Sequence, residues 1–239
     1  MPPCALRLRR PHSTLGDVNK TILIAPFDGP LAAALASEAS AAGWAIAQAL
    51  ARRSEGGQAP AGAEAKGRAD SVAIAYEPRS FVSASALVLA AENALGPLDA
   101  AVLVFDPAEA NADFLGAKPG ELAALVEERC SGPLFLAREL ARRFESRRSG
   151  RLLLLAPESP RDAALGPAAA MADGAFAGLG TGLFAAAAVS LAWSAYGLRD
   201  ASGQGDRLAR FALELLSEPK PTKAGRWLRY SGKGGIFGQ

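Results

Sequence analysis

Residues 72–105, VAIAYEPRSFVSASALVLAAENALGPLDAAVLVF, read as strand, helix and strand in succession. VAIAY at 72–76 and AAVLVF at 100–105 are short apolar runs bounded by turn signals, Glu77-Pro78 after the first and Gly96-Pro97 before the second. Between them Pro78 to Leu95 is long enough and apolar enough for a helix lying on the sheet. Two buried strands joined through a helix pair in parallel by a right-handed crossover, so this stretch alone places the chain among α/β folds.

The same alternation continues on both sides. Downstream, Gly120 to Arg148 predicts one long helix with Leu122, Leu125, Val126, Leu134, Leu136 and Leu140 inward, followed by the strand RLLLLA at 151–156. Residues 166–196 are dominated by Ala and Gly and suit a helix packed closely on several sides. An amphipathic helix over 206–217 and a strand RWLRY at 226–230 precede a glycine-rich tail. Upstream, KTILIA at 20–25 is a buried strand that ends at Pro26, Asp28 and Gly29. Leu31 to Arg53 reads as a crossover helix, with Trp44, Ile46 and Leu50 at helical spacing and Gly43 as its weak point. Residues 54–70 (SEGGQAPAGAEAKGRAD) hold no large apolar side chain to offset the entropy of ordering them, so they are expected to be a flexible loop. The expected architecture is a Rossmann-like three-layer α/β/α domain with a mainly parallel sheet that has lost its second strand, leaving 72–76 beside 20–25.

The chain has 239 residues, 50% of them apolar, which suits one domain over 19–239 behind a flexible leader of 1–18. Lys plus Arg number 26 against 24 Asp plus Glu, a net charge of +2, so no field argues for nucleic acid or an anionic membrane. Cys4 and Cys130 make neither a disulfide framework nor a zinc site, and the single histidine, His12, lies in the Pro/Arg-rich leader. The leader has no apolar stretch of signal-peptide length and no later run reads as a membrane span, so a cytoplasmic protein is expected.

From Val72 onward the phrases resemble the classical short-chain dehydrogenase/reductase family. AIAYEPRSFVSASALVLAAENALGPLDAAVLV is similar to its third strand, helix and fourth strand, with the common GPLD turn. GELAALVEERCSGPLFLARELARRFESRRSGRLLLLAPES resembles its long interface helix and the lead-in to its fifth strand, and RLARFALELLSEPKPTKAGRWLRYSGKGG its closing helix and last strand. The resemblance implies a Rossmann-like fold built to bind a dinucleotide and move hydride.

The residues for that chemistry are replaced. The family carries Thr-Gly-x-x-x-Gly-x-Gly after its first strand, whose glycines let backbone donors reach a pyrophosphate at a helix N-terminus. Here Ala25-Pro26-Phe27-Asp28-Gly29-Pro30 stands in that place, with two prolines that lack donors and an aspartate that repels phosphate. The strand that holds the adenosine ribose in the family should fall in 54–70, where none is legible, so NAD(P) binding is expected to be lost. The family's Tyr-x-x-x-Lys pair, in which the lysine lowers the phenol pKa for proton transfer, has no counterpart: no tyrosine lies between Tyr76 and Tyr196 and no lysine between Lys118 and Lys220. Alignment puts Ala169 and Asp173 in those two slots, Ala156 in the slot of the orienting serine and Arg129 in that of the asparagine. The family's Asn-Asn-Ala-Gly phrase gives way to sequence around Phe105-Asp106-Pro107, and the span from Leu198 to Asp206 is too short for the usual substrate lid.

Other features read as structural. Gly178-Leu179-Gly180-Thr181-Gly182 falls inside an Ala/Gly-rich helix, where close packing explains it better than a phosphate cradle. Tyr196, in SAYGLRD, resembles the ordinary exit into the sixth strand, and Ser159 has no later histidine to activate it. Arg142, Arg143, Arg147 and Arg148 read as a solvated helix end, and Asp106, Glu109 and Asp113 as solvent-facing carboxylates without calcium-loop spacing.

The family's members commonly form dimers and tetramers through the long helix, the Ala-rich helix after it and the last strand, and this chain keeps those elements. The resemblance therefore implies a non-catalytic subunit, partner of a catalytically intact paralogue or of itself, in an acyl-thioester or hydroxyacyl oxidoreductase. A heteromeric hydroxyacyl-CoA dehydrogenase within the family pairs a catalytic with a degenerate subunit in the same way. The alternatives are a noncanonical oxidoreductase and a ligand-binding protein that uses the remnant cleft.

Overall fold

The computed structural model describes residues 20–52, 70–110, 113–158, 165–232 and 236–238. The leader, nearly all of the 54–70 segment and Ser159 lie outside them. Seven parallel strands form the sheet: β1 (Thr21–Ala25), β2 (Ala45–Ala51), β3 (Ser71–Tyr76), β4 (Ala100–Val104), β5 (Arg151–Pro157), β6 (Ser194–Asp200) and β7 (Trp227–Tyr230). A short β8 (Ile236–Gly238) adds antiparallel to β7, and the order across the sheet is β3-β2-β1-β4-β5-β6-β7-β8.

One face of the sheet carries α1 (Gly29–Ala41) and α6 (Gly205–Ser217). The other carries α2 (Phe81–Leu95), α3 (Pro119–Val126), α4 (Gly132–Arg147) and α5 (Pro167–Ser190). Ile22, Leu23 and Ile24 of β1 and Leu152 to Leu155 of β5 are fully buried, the continuous apolar pattern of strands covered on both faces. The three-layer Rossmann-like architecture with a mainly parallel sheet is as expected from the sequence.

The expectation that the second strand is lost is overturned. β2 lies between β1 and β3, pairing Ile22 with Ile46 on one side and Ala49 with Ile74 on the other. The segment 31–53 is therefore not one helix. α1 stops at Ala41, Gly43 turns the chain at φ +77, and AIAQALA runs as a strand. Alanine favours a helix in isolation, but parallel strands pair with β2 on both sides, and that tertiary gain overrides a weak propensity.

Two further boundaries differ from the sequence reading. The long helix expected over 120–148 is interrupted by a π turn at Glu127–Ser131, where the Gly132 N–H donates to the Glu127 carbonyl. Pro133 has no N–H for the Arg129 carbonyl, so the wide turn forms one residue earlier in the ladder. The helix expected over 166–196 ends at Ser190, and Tyr196 sits buried in the middle of β6. By length and composition α5 could cross a membrane; here it lies against the sheet through Ala169, Ala172, Phe176, Leu183 and Phe184. Within its glycine run, Gly180 is the residue that close packing demands, since a Cβ there would come within 2.5 Å of the Trp227 ring, whereas Gly178 and Gly182 face open space.

The basic cluster at the end of α4 is not merely solvated. Glu139, only 1% exposed, accepts from Arg142 at 2.7 Å and from Arg143 at 3.2 Å, while Arg143 and Arg147 each approach Glu92 of α2 at 3.5 Å. Burial alone would raise the Glu139 pKa, but the hydrogen bonds and charges of Arg142 and Arg143 outweigh it and hold the carboxyl below its ordinary value. A carboxyl with a depressed folded-state pKa stabilises the fold above its unfolded value and loses that contribution as pH falls through the folded one. Glu139→Gln is expected to cost about 2 kcal/mol at neutral pH. Urea unfolding should find the gap from wild type closing in acid; a gap of constant size would mean that the pair contributes by packing alone.

Candidate functional site

The chain leaves β1 toward one face of the sheet and β4 toward the other, so a crevice opens where these adjacent strands end, the place where open α/β sheets bind ligands. It has two chambers. The outer one, about 390 Å³, lies between the start of α1, the end of β4 and the 200–206 turn. The inner one, about 30 Å³, lies under the end of β3. Pro26, Asp28, Val104 and Arg129 line both.

The β1–α1 loop offers few donors to an anion. Pro26 and Pro30 have none, and the Phe27 N–H is committed to the Ala49 carbonyl of β2 at 2.6 Å. Asp28 is the N-cap residue of α1, yet its carboxylate makes no capping hydrogen bond. Gly29 takes the left-handed φ of +75 that its turn requires. Around this loop Asp28, Asp106, Asp200 and Asp206 line the outer chamber, with Arg129 the one cation among the described lining residues. Asp200 is anchored, accepting from the Ser202 N–H at 2.8 Å and its hydroxyl at 2.7 Å. Asp106 thus faces the crevice rather than bulk solvent, Asp113 is exposed, and the Glu109 side chain lies outside the described residues. No group of three or more potential metal ligands occurs among the described residues.

The four slots of the family's catalytic residues fall as follows. Arg129 projects from the π turn, with Nη2 3.6 Å from Glu128. Ala156 and Ala169 are fully buried in the core between β5 and α5. Asp173 is ion-paired: Arg199 Nη1 of β6 donates to its Oδ1 at 2.5 Å, and the Arg199 guanidinium lies 4.8 Å from the Trp227 ring centroid. Arg199 is also the register partner of Ala156, so an Asp–Arg–Trp stack occupies the sheet end beneath these slots. Beside it Phe105, at the exit of β4, stacks on Phe176 of α5 with centroids 4.7 Å apart. Alanine at 156 and 169 offers no proton-transferring group.

The sequence reading passed over Tyr76. It ends β3, is 3% exposed and lines the inner chamber. Burial, then the negative charges of Asp28 and Glu128, push its phenol pKa up, against a smaller opposing effect of Arg129. A lone tyrosine closing an apolar strand signals a core residue by pattern; only the fold brings it beside Asp28 and Glu128. Nor did the sequence suggest that Asp200 and Asp206, far from Asp28 along the chain, share its crevice.

No family model matches the sequence, and no curated protein does. Solved structures do match in fold. A short-chain dehydrogenase/reductase from Serratia marcescens superposes with a TM-score of 0.68 at 18% identity, covering 89% of this chain and 96% of its own. A short chain dehydrogenase from Mycobacterium avium gives 0.71 at 16%, over 94% and 86%. An oxidoreductase of the short-chain dehydrogenase/reductase family from Brucella ovis, in complex with a partially ordered NAD, gives 0.66 at 16%, over 88% and 99%. The fold is that of short-chain dehydrogenases/reductases.

Proposed function

We propose that this chain is a non-catalytic subunit on a short-chain dehydrogenase/reductase scaffold, acting through its surfaces as partner of a catalytically intact paralogue or of itself. The observation that carries the reading is the Asp173–Arg199 pair. The slot where the family places a lysine cation to lower a phenol pKa holds an anion engaged in a structural ion pair, and the adjoining tyrosine slot is a buried alanine. The crevice supports it: a pyrophosphate at the start of α1 would meet Asp28 and the carboxylates across from it, with two prolines and a committed Phe27 N–H in the loop. A hydroxyacyl or acyl-thioester oxidoreductase is the complex we propose it serves, in the cytoplasm and with no nucleic acid or membrane partner.

One observation favours a second reading, a noncanonical dinucleotide or ligand site. β2 is present, and Arg52 follows its C-terminal end, where an arginine can accommodate a ribose phosphate. That removes one of the two grounds for loss of NAD(P) and leaves the loop and the acidic crevice as the other.

Light scattering on the purified chain, alone and mixed with an intact short-chain dehydrogenase from the same cells, tests the scaffold reading. A dimer or larger species in either sample is expected. A monomer in both, at micromolar concentration, would contradict it.

A further inference from the structure

We propose that the outward face of the α2–α4 helix pair docks a helix of a different chain, one that sets an apolar stripe and a carboxylate against Arg138. This rests on the reading of the chain as a partner subunit and names the chemistry of the partner.

The two helices run side by side in the same direction: Phe81 meets Phe135 with ring centroids 5.9 Å apart, Ser85 donates to Glu139 at 3.4 Å, and Glu92 lies 3.5 Å from both Arg143 and Arg147. On their outer side Val82 is 75% exposed, Leu134 49% and Leu89 46%, and Phe81 is exposed beside them. Val82 and Leu89 lie two turns apart on one side of α2, and Leu134 stands one turn before Arg138 on α4. An exposed apolar set spread over two adjacent helices, with an aromatic ring and an arginine in it, has the composition of an interface core and not of scattered surface residues.

Charge decides what covers this face. The carboxylates of α2 and α4 are Glu92, Glu139 and Glu145, and each is committed within the chain: Glu92 to Arg143 and Arg147, Glu139 to Arg142 and Arg143, and Glu145 to the Ser190 hydroxyl and the Trp193 indole N–H. Arg138 is exposed; its guanidinium lies 4.8 Å from the Phe81 ring centroid, and among the described residues no ion pair engages it. The ring limits the freedom of the guanidinium and leaves its N–H donors to another group.

A second copy presenting the same face about a two-fold axis would set arginines against arginines, since an isologous contact pairs a patch with itself. The leader carries Arg7, Arg9 and Arg10 and no acidic residue before Asp17, so it meets the same repulsion. An anionic membrane draws on several cations at once, and this face offers one that lacks a carboxylate. A different chain with an aspartate or glutamate on an otherwise apolar helix satisfies both features, since it buries the stripe and gives Arg138 a bidentate partner.

Fluorescence anisotropy of the full chain with three labelled amphipathic helical peptides, each about 20 residues long, tests this. One has a leucine stripe flanked by glutamates, and the other two carry glutamine or lysine in place of the glutamates. The glutamate peptide should bind at least about tenfold more tightly than the glutamine peptide, and the lysine peptide should not saturate. Arg138→Gln should abolish the preference for glutamate, Arg138→Lys should keep part of it, and Leu134→Ser should weaken the glutamate and glutamine peptides alike. Equal affinities, saturation by none of the three, a glutamate preference that survives Arg138→Gln, or binding to phosphatidylserine vesicles that Arg138→Gln removes would each overturn the proposal. A chain that oligomerises in light scattering but shows no glutamate preference keeps the scaffold reading and loses this one, whereas a monomer in both scattering samples removes the scaffold reading whatever the peptides do.

Discussion

Asp173→Lys, a change toward the family's catalytic pattern, is expected to destabilise this chain strongly and to confer no activity. Asp173 holds the Arg199 guanidinium at 2.5 Å, and Arg199 lies over Trp227. A lysine there would place two cations side by side in a partly buried site and remove the carboxylate that pairs with Arg199. Breaking such a pair while adding repulsion should cost about 3 kcal/mol. In a domain of this size that lowers Tm by roughly 10 °C. Adding Ala169→Tyr forces a phenol into a fully buried alanine site and costs more by overpacking. Thermal unfolding followed by circular dichroism checks the first effect and a nicotinamide-absorbance assay the second. Wild-type stability would mean that the pair is dispensable, and turnover by the double variant would mean that the scaffold still presents cofactor and substrate.

On the proposed scaffold reading, Gly178→Trp should break the oligomer while leaving the subunit folded. The outward face of α5 carries Met171, Gly174, Gly178, Gly182 and Val189, with no charged residue among them, and Val189 is 86% exposed. A glycine inside a helix costs about 1 kcal/mol relative to alanine. At Gly180 the Trp227 ring explains the glycine, but a Cβ at Gly174, Gly178 or Gly182 meets nothing within 4 Å inside the chain. On the proposed scaffold reading, close approach by another chain offsets that cost. The large substituent therefore projects away from the subunit's own core and into its neighbour, and sedimentation should find smaller species with an unchanged circular dichroism spectrum. Unaltered mass in an oligomeric sample would place the contact elsewhere.

The layered fold was legible because it depends on what strands and helices bury. The apolar runs of β1, β4 and β5 and the amphipathic α6 leave little choice of element. β2 was not legible: AIAQALA is an alanine-rich run whose strand character comes from two neighbours that only the folded sheet supplies. The π turn had a local sign in Gly132-Pro133, but a proline near a helix start is common enough to pass as ordinary. For the site, the sequence pointed to the proline-bearing loop after β1 and to Arg129, both of which line the crevice. It could not disclose that Asp173 pairs with Arg199, nor that Tyr76, Asp28 and Asp206 converge, because those contacts join residues far apart in the chain.

We propose that this scaffold no longer carries a hydride-transfer cofactor. Titration of NADH and of NADPH into the purified chain, followed by nicotinamide fluorescence and by quenching of the tryptophan emission, tests this. Neither should saturate at micromolar concentration, since the loop after β1 presents prolines and a carboxylate where a pyrophosphate needs donors. Saturable micromolar binding of either nucleotide, weakened by substituting Arg52, would contradict the account and establish the noncanonical dinucleotide site instead.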